Sequence, residues 1–353
     1  MNGRCVITVG DLGEFGIVAR IAGRLPQSGA VLLGPGDDAA VVGAPDGRVV
    51  VTTDMLLEGR HFRRDWSSPY DIGRKAAAQN LSDVIAMGAD PTAIVVGLGL
   101  PSDVGTGWLD DLTDGFRDEC DLVGAGVAGG DTTRCDLVVI SVTALGDLGG
   151  RAPVTRSGAR PGDVVAVAGR LGHAAAGLAL LESGHEGLPG PDGRRRDDPR
   201  RDDPRRDGRA EPYGSDERRE DGVAGLVGAH RRPRPPYPCG PQAAALGATA
   251  MLDVSDGLLQ DLGHVARASG VGIALDPGAF TVTPEMERVA RLLAADPLDW
   301  VLTGGEDHAL AATFPAEVRL PPAWTVVGRV TGGEGVQVSG RTVGQGGWDH
   351  FRM

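Results

Sequence analysis

Acidic side chains next to glycine, serine or threonine recur along this chain at the borders of apolar runs. "GPGDDAAVV" sets Asp37 and Asp38 behind Gly34 and Gly36, "VTTDM" contains Asp54, and "NLSD" ends on Asp83. "AGGDTT" surrounds Asp131, "LDVSDGL" carries Asp253 and Asp256, and "TGGEDHAL" carries Glu306 and Asp307. Any one of these alone reads as a turn or a helix cap. Asp256 is the plainest case, because Gly257 and a helical pattern follow it. Asp54 instead closes a strongly apolar strand pattern and Asp83 sits inside a helical one, so turn chemistry explains neither. Recurrence of the motif favours a shared site. Converging carboxylates repel, and burying them unpaired costs on the order of several kcal/mol each, so they need raised pKa values or cations. Oxygen ligands with no neighbouring His or Cys cluster select Mg2+ or Mn2+ over zinc. The calcium-loop register is absent from "DVSDGLLQDLG". Several magnesium ions in an acidic protein suit a polyphosphate ligand.

Composition narrows the partners. The chain has 353 residues, 41% of them hydrophobic, and a formal net charge of −13, which disfavours nucleic acid and anionic membranes as partners. Lys75 is the only lysine, and Ala76 follows it, so no Walker A loop is present. Phosphate charge must then be met by metal ions and arginines. Lys75 itself reads as a surface charge on a helix, with no catalytic task. Cys5, Cys120, Cys135 and Cys239 lack metal or disulfide spacing. No apolar run reaches the roughly 20 residues of a bilayer span, and no signal-peptide pattern is seen, so a cytoplasmic protein is expected.

Strand and helix patterns intermix throughout, which predicts an α/β (mixed α+β) chain of two layered domains, residues 1–150 and 151–353. Strand patterns cover "RVVVTTDMLLEG", "TAIVVGLGLP", "LVVISVTALGDL", "DVVAVAGRLG", "MLDVSDG", "HALAATF" and "TVVGRV". A helix is predicted from Pro69 to Met87, capped by Ser68, with Asn80 and Asp83 one turn apart on it. Others follow near Trp108–Val123, His173–Leu181, Leu258–Ala268 and Glu285–Ala294. Residues 191–221 repeat "RRDDP" and hold ten Arg and eleven acids, too polar to order themselves, and read as a disordered, tolerated insertion. The rest of the chain keeps 25 basic and 37 acidic residues, so the acidity belongs to the folded body.

Taken in order, "GPGDDAAVV", "TTDMLLEGRHF", "GRKAAAQNLSDVIAMGADP", "AGGDTTR", "TRSGARPGD", "DVSDGLLQDLGHVARASG", "LTGGEDHAL" and "GWDHF" resemble the thiamine-monophosphate kinase family. That family falls within the aminoimidazole-ribonucleotide synthetase and selenophosphate synthetase superfamily. The resemblance spans almost the whole chain except the Arg/Asp insert. It implies an N-terminal sheet domain for metal, ATP and dimerisation and a C-terminal α/β domain. The implied reaction moves the γ-phosphoryl group of ATP onto thiamine monophosphate, the final step of thiamine diphosphate biosynthesis. By motif, Asp38, Thr52, Thr53, Asp54, Asp83, Asp131, Asp253 and Asp256 would bind several Mg2+ ions. Gly130, Asp131, Arg156 and Ser255 would contact ATP, while His61, Glu306 and Trp348 would contact thiamine monophosphate. A homodimer is implied as well.

The acceptor in such a reaction is a phosphate oxygen with a second pKa of about 6, so no general base is required and none is assigned. A direct in-line transfer is expected, with metals and Arg156 screening two anions. The cationic thiazolium calls for anionic or aromatic surface, which Glu306 and Trp348 supply. Two departures from the family stand out. The insert precedes "LVGAHRRPRPPY", the counterpart of a His-x-Arg-Pro-x-Pro segment, and Trp348 replaces a tyrosine. Two other readings stay open here: a sister enzyme of the superfamily with another acceptor, and a non-catalytic metal- or nucleotide-binding protein. Cys5 lacks the glycine-rich setting a selenophosphate synthetase would need.

Overall fold

The computed structural model describes residues 7–25, 28–34, 40–185 and 222–341. The 191–221 repeat, Asp37, Asp38 and Trp348 lie outside the described residues. The first part of the chain runs α1 (Val9–Ala22), β1 (Val31–Leu33), β2 (Val41–Val42), β3 (Val50–Leu57), α2 (Pro69–Ala86), β4 (Asp90–Leu100), α3 (Thr106–Asp121), β5 (Gly126–Arg134) and β6 (Val139–Asp147). It continues with β7 (Val164–Ala168), α4 (His173–Glu182), α5 (Val223–Arg231), α6 (Cys239–Ala245), β8 (Ala250–Val254) and α7 (Leu258–Ser269). The last elements are β9 (Gly272–Leu275), α8 (Pro284–Leu293), α9 (Pro297–Thr303), β10 (Ala309–Phe314), β11 (Trp324–Thr331) and β12 (Gly335–Val338). No helix among the described residues is long and apolar enough to cross a membrane.

Two main sheets organise this mixed α/β chain. The first has four strands in the order β3-β6-β4-β5, antiparallel except for the β4/β5 pair, which α3 connects. The second has six, in the order β12-β9-β11-β7-β10-β8, antiparallel except for β12/β9. Strand β10 is buried on both faces: Leu310, Ala312 and Phe314 join one apolar cluster while Ala309 and Ala311 join the other. The first cluster also contains the α2 and α3 side chains Ile72, Leu81, Ile85, Leu109 and Leu112, so it runs unbroken from the four-stranded sheet to one face of the six-stranded one.

Helix α2 is the element between the two sheets. Its start is over-determined: Ser68 and Asp71 form a reciprocal capping box, and Pro69 occupies the first turn. Its alanine-rich body, with Ala76, Ala77 and Ala78 fully buried, allows close approach on several sides. Gly73 makes the crossing with α3 possible, since a Cβ there would lie 2.1 Å from the Leu112 carbonyl oxygen. Gly115 faces back in the same way, 2.2 Å from the Tyr70 carbonyl oxygen. Arg74 of α2 pairs with Glu119 of α3, which also accepts from Tyr237, so this contact continues into the chain before α6. Gly73→Ala is expected to destabilise the fold by about 2 kcal/mol or more through backbone overlap. Denaturant titration of the variant checks this, and an unchanged midpoint would show that the helices do not meet here.

Candidate active site

Strand β3 forms one edge of the four-stranded sheet, and its alternation divides its residues between two faces. Thr52, Asp54 and Leu56 turn toward α2; Val51, Thr53 and Met55 turn to the other face, where they stay exposed. Helix α2 answers the first set. Thr52 Oγ1 donates to Asp83 Oδ2 at 2.7 Å, Gln79 Nε2 donates to Asp54 Oδ2 at 2.9 Å, and the Asp54 amide donates to Asn80 Oδ1 at 3.0 Å. Asn80 is held in turn by donating to the Ala76 carbonyl. From the other sheet, β8 brings Asp253, which is 5% exposed and accepts from Ser82 Oγ at 3.0 Å. His308 Nδ1 also lies 3.0 Å from Asp253 Oδ2.

Asp83 and Asp253 line a cleft of about 480 Å³, bordered by Thr52, Met87, Thr155, Arg156 and Ser157. Burial pushes the Asp83 carboxyl up to about 7, with Asp253 and Asp54 adding to the rise and the Thr52 hydroxyl opposing it. Asp261 is raised to about 7 as well, by burial and by Asp253 and Asp256, although its Oδ2 accepts from the amides of Ser255, Asp256 and Gly257 at 3.1 Å each. Asp261, one turn into α7, thus gathers the amides that precede the helix. Ser255 and Asp256 are half-buried in this turn, and Arg156 is exposed at the cleft border.

A second group of charges lies beside the first. Glu306 Oε1 is 2.9 Å from Lys75 Nζ, and its Oε2 is 3.1 Å from His230 Nδ1. Burial alone would raise the Glu306 pKa, but Lys75 and His230 outweigh it and hold the group far below the usual carboxylate range. His61 belongs to this group through its carbonyl oxygen, which accepts from Lys75 at 3.1 Å, while its Nδ1 accepts from the Leu57 amide. Lys75 is thus no surface charge: it is 2% exposed, on the inward side of α2. Glu306 and His308 both have left-handed backbones, at φ 68° and 51°. Each such residue costs about 1 kcal/mol or more, here offset by a buried polar contact.

Not every acidic motif joins these groups. Asp307 turns away and caps α4, accepting from the Gly172 and Ala174 amides at 2.6 and 2.9 Å. Thr53 places its hydroxyl on the far face of β3, donating to the Val142 carbonyl. Gly130 and Asp131 lie on β5, at the opposite edge of the sheet. Asp131 registers with Gly97, Gly97 with Ser141, and Ser141 with Met55, so its side chain shares the Met55 face and not the Asp54 face. It is exposed and accepts only from the adjacent Thr132 amide among the described bonds. Lys75, Asp261 and His308 were missed as site residues in the sequence, and His230 entered only as part of the His-x-Arg-Pro-x-Pro counterpart; the solitary lysine in an arginine-rich chain was the other signal.

Among the described residues no three carboxylate, His or Cys side chains form a complete metal cage on their own. That fits magnesium, which is usually held by one or two carboxylates plus waters and substrate phosphates. Asp83 beside Asp253 and Asp54, with burial and like charge both opposing ionisation, is the donor set a cation would relieve.

Residues 36–148 match the family model for AIR synthase related protein, N-terminal domain. The chain is 46% identical over 347 residues to the thiamine-monophosphate kinase of Mycobacterium tuberculosis, covering 98% of this chain and 93% of that relative. The chain belongs to the thiamine-monophosphate kinase family. Members are phosphotransferases by name, and solved structures share the fold. The thiamine-monophosphate kinase of Stenotrophomonas maltophilia K279a aligns with TM-score 0.74 and 32% identity, over 93% of this chain and 96% of that one. The structure of AaThiL complexed with AMPPCP and TMP aligns with TM-score 0.73 and 32% identity, over 97% and 98% of the two chains.

The Asp83 carboxyl gives a pH test. Its pKa rises from 3.8 to about 7 on folding, so the metal-free fold holds a proton that the unfolded chain releases between these values. The group's contribution to stability is therefore greatest below about pH 4 and falls as pH rises toward 7. Metal-free Asp83→Asn should be more stable than the parent at pH 8, by about 1–3 kcal/mol, with the gap narrowing steadily toward pH 4. Urea titrations in chelator at both ends of this range measure it; a gap independent of pH would contradict the assignment.

Proposed function

We propose that this protein transfers the γ-phosphoryl group of ATP to the phosphate of thiamine monophosphate, giving thiamine diphosphate and ADP, as the final step of thiamine diphosphate biosynthesis in the cytoplasm. The observation that carries the reading is the nearness of two unlike charge groups along α2, the Asp83–Asp253 carboxylates lining the cleft and the Lys75–Glu306 pair two turns away on the same helix. The buried Asp83–Asp253 carboxylates suit a cation-bridged triphosphate, and the anchored Glu306 carboxylate beside them suits a cationic ring. His308 stands between the two groups, bonded to Asp253 and influenced by both Asp83 and Glu306. The family relatives named above support the same substrates.

In this reading Asp38, Thr52, Asp54, Asp83, Asp131, Asp253 and Asp256 hold magnesium, whereas the side chain of Thr53 is turned to the other face of β3. When bound, magnesium would draw the carboxylates and the phosphate chain together and offset their charge. Gly130, Asp131, Arg156 and Ser255 contact ATP, and His61, Glu306 and Trp348 contact the acceptor. The acceptor oxygen is already ionised near neutral pH, so the protein removes no proton. Its own residues orient two anions: Glu306 fixes the ring end of the acceptor, and Arg156 at the cleft border offsets charge on the group being transferred. Transfer is then direct and in line, without a phosphorylated side chain. The chain divides near residue 150, the first unit holding β3, α2 and β5 and the second holding β8 and the Glu306 turn.

The functional unit is a homodimer formed through the four-stranded sheet. Val51, Met55 and Val95 expose 60%, 52% and 36% of their surfaces on its open face, an apolar patch that a second copy would cover. Asp131 gives the same direction. It sits across the sheet from Asp54 and three strand spacings away, roughly 14 Å, so one protomer does not bring the two carboxylates together. A second copy presenting its β5 edge would complete the set.

Incubation of purified protein with Mg·ATP and thiamine monophosphate should yield thiamine diphosphate. Asp54→Asn and Asp131→Asn should each lower turnover by about a hundredfold or more with the fold intact. Reassorting subunits of these two variants should restore about one quarter of the parental activity, because half the dimers then carry one intact site of two. Near-normal activity of both single variants would overturn the metal assignment. Failure of the mixture to recover would place Asp131 in the site of its own chain.

A further inference from the structure

We propose that Lys75 is a positioning residue for the acceptor: it fixes the Glu306 carboxylate as the negative surface that receives a cationic ring, and so sets the preference for a charged ring over a neutral one of the same shape. The inference rests on the acceptor reading of Glu306 and His61 given above.

The chemistry of the contact singles Lys75 out. Of 35 basic residues other than histidine it is the only lysine, and it is buried to 2% exposure. Its Nζ has three acceptors within hydrogen-bond distance: Glu306 Oε1 at 2.9 Å, the His61 carbonyl at 3.1 Å and the His230 carbonyl at 3.3 Å. An ammonium carries three protons, enough for hydrogen bonds to the two carbonyls alongside the ion pair with Glu306. Those acceptors come from three separate segments: the loop after β3, the end of α5 and the turn before β10. A planar guanidinium on a longer stem cannot aim donors in three diverging directions from one point. Geometry therefore accounts for a lysine at the one position where this arginine-rich chain uses one.

The consequence falls on Glu306. Lys75 Nζ lies 2.9 Å from Oε1 and His230 Nδ1 3.1 Å from Oε2, so each carboxylate oxygen has a close neighbour, yet 32% of the side chain stays open. Its left-handed backbone is a strained choice that these contacts over-determine. Lys75 itself is covered, with 3% of its side chain exposed against 32% for Glu306. The exposed face is thus negative even though the pair as a whole is neutral, and a thiazolium meets the anion while the ammonium remains covered. The Asp83–Asp253 carboxylates are held by other residues, Thr52, Ser82 and His308, so loss of Lys75 should leave nucleotide binding largely in place.

Two measurements test this. In Lys75→Met, KM for thiamine monophosphate should rise about tenfold or more while KM for ATP changes less than about twofold. The preference for thiamine monophosphate over an analogue with a neutral thiophene in place of the thiazolium should fall in parallel, and Glu306→Gln should show the same loss. The double variant should be no worse than the poorer single one. The second measurement uses the unmutated protein: lysine labelled with 13C at Cε gives one side-chain signal, and saturating thiamine monophosphate should shift it while AMPPCP alone should not. A folded Lys75→Met with unchanged acceptor KM and ring-charge preference, or a lysine signal that answers only to nucleotide, would overturn the proposal and leave Lys75 holding the fold. A parent protein that makes no thiamine diphosphate would remove the reading of the site instead.

Discussion

Two carboxylates, Asp83 from α2 and Asp253 from β8, meet in a cleft where burial and the neighbouring Asp253 both oppose the charge of Asp83, and the rest of the site is arranged around that conflict. The two sheets do not share strands, and α2, packed between them, carries side chains to both and so sets the spacing of the polar groups. One stripe of that helix carries the task. Lys75, Gln79 and Asp83 follow at intervals of four, reaching the Glu306 turn, Asp54 of β3 and the carboxylate pair in succession. The opposite side of the helix is glycine and alanine at the α3 crossing, which fixes its height above the sheet. An error in that packing would move every polar contact at once.

The "GGEDH" turn does comparable work from the other side. Three consecutive residues leave it in three directions: Glu306 to Lys75, Asp307 to the amides of α4 and His308 to Asp253. Left-handed backbone at the first and third residues produces that divergence. The turn thereby fixes the distance between Glu306 and the Asp83–Asp253 pair, the distance on which the proposed transfer would depend.

Sequence patterns revealed the parts that local rules govern. The capping box at Ser68, the β-branched run into Asp54 and the Ser/Asp/Gly punctuation before α7 were readable because each signal lies within a few residues of its effect. Non-local facts were not. Lys75 looks like an ordinary helix-surface charge until Glu306, far along the chain, closes on it. Asp131 belongs to the same ordered motif set as Asp54, but only strand register shows that it faces the other side of the sheet. Asp307 reads as a partner of Glu306, although adjacent residues in an irregular turn need not point together. The α1 helix, broken at Gly13 with φ 65°, and α5, which follows the Arg/Asp repeat, carried no period clean enough to read.

The most direct test of the account is diffraction from crystals grown with Mn2+ and AMPPCP, recorded where manganese scatters anomalously. The account requires a manganese peak within coordination distance of carboxylate oxygens of Asp83 or Asp253 and of the nucleotide's phosphates. Bound nucleotide with no metal at either carboxylate would contradict it.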